Sequence, residues 1–172
     1  NSLEKAKTVM FTQSKDDIQA IRDEESTVDQ LSAGISEYAI KISSLRVSDK
    51  EHQEVAHLLQ IISDMERVSD YCENISEYAE TLAEKKATFS EPGAEGMKEM
   101  LEVCSDSFKY ALEAFEEKNQ DKALRVIEKE TQADGLEVSL RTKHIKRLAN
   151  NQCSTDSGIV FLDALVCLER IS

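Results

Sequence analysis

The chain has 172 residues, 40% hydrophobic and 32% charged, enough to bury roughly two thirds of its unfolded surface in one domain and too apolar for a disordered chain. One Pro, five Gly and no Trp argue against a turn-dense sheet protein and for long helices. The net charge of −13 disfavours nucleic acid and anionic lipid as partners, and no apolar run nears the ~20 residues of a membrane span.

In chain order, a short apolar stretch from Leu3 to Phe11 reads as a first helix. Ser14 caps a long second helix, in which Ile18, Ile21, Val28, Leu31, Ile35, Tyr38, Ile42 and Leu45 recur at steps of three and four. Ser48 and Glu51 form a capping box that opens a third helix, with its stripe through Val55, Leu58, Ile62, Met65, Cys72, Ile75, Ala79 and Leu82. Residues 90–96 hold the only Pro and two of the Gly and read as a linker. Met97 to Phe115 mark a fourth helix, and Asn119 to Asp121 a turn. A long fifth helix runs through Leu124, Leu136 and Leu148. Thr155 caps a last helix reaching Ile171. The expected fold is therefore all-α, six helices in tandem duplicated three-helix bundles: 1–89, a linker at 90–96, and 97–172, with the last helix and the first both shorter than their counterparts.

The duplication is visible residue by residue. Ile21, Glu25, Val28, Asp29 and Leu31 align with Val126, Glu130, Ala133, Asp134 and Leu136, and Glu66-Arg67-Val68-Ser69 with Glu169-Arg170-Ile171-Ser172. The register puts the counterpart of Asp70 one position past Ser172.

Glu25 interrupts the apolar stripe between Ile21 and Val28, where a carboxylate is costly unless paired, protonated or metal-bound. Asp29 stands one turn on, and Glu130 and Asp134 repeat the pair. Glu66, Asp70, Glu73 and Glu77 form a second acidic strip, which repels itself unless something cationic lies over it. For any single carboxylate the alternative is a solvated face or an arginine partner; the matched register in both halves favours a shared role. Oxygen ligands suit Mg, Ca, Mn or iron. Glu54 and His57 have a di-iron spacing, but it occurs once, whereas a ferritin-like oxidase needs two. His52 and His144 read as surface or helix-end residues. Cys72, Cys104, Cys153 and Cys167 fall in no C-x-x-C pair and read as reduced thiols of an intracellular protein. No nucleophile elbow or Gly-rich phosphate loop points to an enzyme.

The run from Asp64-Met65-Glu66-Arg67-Val68-Ser69-Asp70 through Asn74-Ile75 to Glu77 resembles the signature helix of PhoU-like proteins, and Leu168 to Ser172 resembles the start of a second copy. The resemblance covers essentially the whole chain. It implies a cytoplasmic regulator of phosphate uptake, not an enzyme. It also implies divalent or iron-type metal ions on the E-x-x-x-D faces, with Glu25, Asp29, Glu66, Asp70, Glu130, Asp134 and Glu169 as ligands. The implied partner is a membrane phosphate transporter, in cis or in trans, with no nucleic acid, no insertion of this segment into the membrane, and self-association left open. PhoU-like units also form the cytoplasmic tails of sodium-dependent phosphate cotransporters. The Asn start and the short outer helices favour that setting over a stand-alone regulator, or over a helical bundle that binds a basic partner without metal.

Overall fold

The structure, a computed structural model, describes residues 2–45 and 48–172. Six helices follow in order: α1 (Ser2–Thr12), α2 (Lys15–Ser43), α3 (Asp49–Glu84), α4 (Glu91–Glu117), α5 (Gln120–Ala149) and α6 (Thr155–Ile171). The described residues contain no strand. Local chemistry sets the helix starts. Ser14 Oγ accepts from the Asp17 N–H, and Asn119 caps α5 from its side-chain oxygen. Ser48 and Glu51 make the reciprocal capping box. Two boundaries differ from the sequence reading. Ser154, not Thr155, caps α6, because its Oγ reaches the Ser157 N–H. The stretch 90–96 is not a linker: α4 is helical from Glu91, with Pro92 in the first turn, where a missing N–H costs nothing. The non-helical connection lies at 85–90.

Within each half the two long helices pair, α2 with α3 and α4 with α5. The halves meet through equivalent helices, α1 against α4 and α3 against α6. One hydrophobic cluster runs through that junction, from Val9 and Met10 through Ile75 and Leu82 to Met97, Leu101, Phe161 and Leu165. Phe89 stands edge-on to both Phe11 and Phe161, at 6.4 and 5.7 Å between ring centres.

The apolar stripes extend farther than the core does. α1 has 11 residues and α6 has 17, against 36 in α3. The short helices therefore cover one end of each long pair. The bond from Ser2 Oγ to Glu24 (2.6 Å) marks where α1 runs out along α2. Beyond it Leu31, Ile35 and Tyr38 are exposed rather than buried, as are Leu45, Leu58 and Met65. In the second half Phe115, Leu124 and Ile127 stand exposed likewise, and so does Ile159 on α6.

Candidate functional site

Glu25 lies on α2 one turn beyond Ile21, the last α2 residue in the shared core. Asp29 follows one turn later, and Asp70 faces them from α3, two residues before the buried Cys72. The α2–α3 packing brings the three together: one oxygen from each lies within 4.8 Å of the other two. Glu25 is half-buried, and Asp29 and Asp70 are exposed.

The electrostatics follow from that convergence. Burial pushes the Glu25 carboxyl up to about 7, helped by a hydrogen bond shared with Asp29 and by the charges of Asp29, Glu73 and Asp70. Burial, then the Asp29 charge, raises Asp70 as well. Arg22, one turn before Glu25, pairs instead with Glu80 at 2.7 Å, and Arg67, one turn before Asp70, lies 3.9 Å from Asp64. The cluster therefore holds a proton near neutral pH or takes a cation in its place. Three convergent carboxylates with one pKa near 7 fit a hard, oxygen-seeking divalent ion, which would displace that proton.

Of the seven candidate ligands, the structure brings Glu25, Asp29 and Asp70 together. Glu66, one turn before Asp70, is half-buried and outside that group, and Glu73 contributes its charge instead. Glu130, Asp134 and Glu169 are exposed, and no such group includes them among the described residues. His52 is exposed at the start of α3, its ring against the Ser48 and Ser43 carbonyls.

His144 contradicts the sequence reading: it is buried, stacked on Phe161 at 4.8 Å. Arg147, buried one turn on, went unnoticed. The signal was present, since Ala133, Leu140, His144 and Arg147 fall at steps of seven, four and three on one helical face. The cysteines carry free thiols, three of them buried. Burial drives Cys72 and Cys104 up to about 12, which makes them inert packing groups.

The geometry defines a class: a duplicated three-helix bundle with a carboxylate cluster where one long helix pair leaves the core. The sequence model of the PhoU domain matches residues 1–79 and 97–172, and the chain belongs to that family. Solved structures share its fold, two PhoU proteins among them. The phosphate transport system regulatory protein PhoU from Streptococcus pneumoniae is 22% identical, with a TM-score of 0.82, over 99% of this chain and 79% of that one. PhoU from Pseudomonas aeruginosa is 17% identical, with a TM-score of 0.77, over 99% of this chain and 81% of that one. No curated protein matches the chain in sequence.

Proposed function

We propose that the chain is a regulator of phosphate transport that acts on a membrane transporter in trans and carries a hard divalent or iron-type cation on Glu25, Asp29 and Asp70. The observation that carries this reading is the convergence of those carboxylates within a PhoU bundle. A bound cation would neutralise the repulsion that lifts Glu25, tie α2 to α3, and supply charge rather than reaction chemistry. Glu73, one turn after Asp70 on α3, adds its charge to the cluster. The solved neighbours are PhoU proteins, one of them titled a phosphate transport system regulatory protein, and neither is a cotransporter. That favours a separate regulator over the tail of a sodium-dependent cotransporter. No described helix is long and apolar enough to cross a membrane. Contact with the transporter would therefore run through surfaces such as the exposed apolar residues of the long helix pairs.

The test has two arms. Phosphate uptake is measured in cells lacking their own PhoU and supplied with wild type, Glu25→Gln or Asp70→Asn. Restored control by wild type and failure of both variants, each folded by circular dichroism, is the expected result. Metal analysis of protein purified without chelator should find bound cation in wild type and little in Glu25→Gln. Failure of wild type to alter uptake would overturn the regulatory reading, and equal metal content in both proteins would overturn the site.

A further inference from the structure

His144 and Arg147 occupy the corner where α5 meets the starts of α6 and α4. His144 is buried, its ring stacked on Phe161 and its Nε2 without a hydrogen-bond partner. Gly158 of α6 lies against the same ring: a Cβ there would stand 2.9 Å from Nε2. The other ring nitrogen, Nδ1, faces Arg147 Nη2 at 3.5 Å. A guanidinium has only N–H groups to offer, so the nitrogen turned toward it is the unprotonated one. Arg147 is itself buried, with its Nε unpartnered and the Phe161 ring 5.4 Å from its guanidinium carbon.

The corner has nothing with which to meet a second positive charge. Phe89, Ser90 and Gly93 close it from the α4 side, Ser157 and Phe161 from α6, and Cys153 from the connection between α5 and α6, leaving no room for a water molecule. Around the imidazole, Arg147 is the one charged group and Cys153 the one other titratable group. The carboxylates at this end stand outside: Asp156 is engaged by Lys85 at 2.6 Å, and Glu91 is exposed on the first turn of α4. Protonating His144 would set N–H against N–H and place two cations side by side in a dry space. Burial, then the Arg147 charge, accordingly hold the His144 pKa below its usual 6.5.

We propose that α6 is a pH-sensitive latch: it stays docked while His144 is a neutral imidazole, and acidification releases it. The latch rests on neither the metal nor the transporter. α6 has 17 residues, a length at which a helix depends on its docking, so it leaves as a unit. Neutral His144 contributes stability in full above the open-state value near 6.5, and that contribution is lost as pH falls toward the lower folded value. Between the two values the released fraction rises about tenfold per pH unit. Release uncovers Cys167, which meets Tyr78 of α3 at 3.6 Å, and Cys104, whose thiol donates to the Leu168 carbonyl. Cys72 is on the side of α3 that faces Glu24 of α2 and stays covered.

The cysteines report the opening. Labelling by a dithiodipyridine reagent, which reacts with thiols in mild acid, is followed for each cysteine by mass spectrometry, and each rate is divided by that of urea-unfolded protein at the same pH. From about pH 7.5 to about 5.5, the normalised rates of Cys104 and Cys167 should rise roughly threefold to tenfold in wild type, while that of Cys72 stays level. His144→Phe keeps a ring on Phe161 but takes no proton, and its rates should be flat over the same range. If that variant fails to fold, Arg147→Met carries the test: with one of the two cations gone, the rise should shrink. Labelling of all three thiols together would show general acid unfolding and overturn the latch. So would no rise in wild type, an equal rise in His144→Phe, or an undiminished one in Arg147→Met.

Discussion

At the scale of single residues, Glu25 sets the behaviour of the acidic cluster. Its folded pKa is raised to about 7, above the 4.5 of a free glutamate. Its stabilising contribution is therefore present in full below the unfolded value and lost as pH rises through about 7. Metal-free wild type should lose stability relative to Glu25→Gln between about pH 5 and 7.5, by about 1 kcal/mol once solvent screening at this half-buried position is counted. Paired urea melts across that range measure the difference, and a flat difference would show that Glu25 feels no such crowding. Glu66→Gln with Asp70→Asn should likewise leave the metal-free fold intact, since it removes like charges from one strip. A melting temperature well below wild type would instead make these residues structural ion-pair partners. The conflict at Glu25 was legible in the sequence because it interrupts an apolar stripe. Which carboxylates join it was not, because that depends on how deep each helix sits at its neighbour. Arg147, on which the sequence reading was silent, shows the opposite case. Its charge suggested solvent, while its register with Leu140 and His144 placed it inside.

At the scale of helices, two starts were legible because capping is local chemistry: Ser14 and Ser48 each bond the N–H groups they were expected to bond. Asn119, read only as part of a turn, caps α5, and the starts of α4 and α6 were misplaced by a few residues. The burial of whole stripes was not legible. Periodicity says which face is apolar, not how much of it a partner helix covers, and Leu31 and Ile127 are exposed for want of cover. Glycines inside helices give a contrasting test. A Cβ at Gly34 or Gly135 would meet nothing within 4 Å, so alanine there should stabilise by about 0.5–1 kcal/mol each, by restricting the unfolded chain and favouring the helix. At Gly158 the same Cβ would lie 2.9 Å from His144 Nε2, and the ring is held against Phe161. Gly158→Ala should cost about 1–3 kcal/mol. Urea denaturation of the three variants should split them in sign.

At the scale of the whole molecule, the two halves are equivalent in topology but unequal in ligands. Glu25, Asp29 and Asp70 converge, whereas Glu130 and Asp134 have no such third carboxylate among the described residues. A magnesium, manganese or ferrous titration at fixed ionic strength should raise the melting temperature of wild type. The rise should disappear in Glu25→Gln and survive in Glu130→Gln, because a hard cation loses affinity with each missing oxygen. Equal loss from both variants would place the effect in general screening of the −13 charge. The single core across the junction also means that the halves should unfold together, while hydrogen exchange runs faster near Leu31 and Leu58 than near Ile75 and Leu82.

The uncovered length of the α2–α3 pair has a mechanical consequence. From Cys72, where α3 joins the core, back to Asp49 the helix projects about 35 Å at 1.5 Å per residue. It is a lever with its fulcrum at the core, and Glu25, Asp29 and Asp70 sit on that fulcrum. A tilt of about 5° at the base carries the tip about 3 Å, a displacement on the scale of helix shifts at switching interfaces. Small changes in how closely three carboxylates approach one another are therefore magnified along the arm.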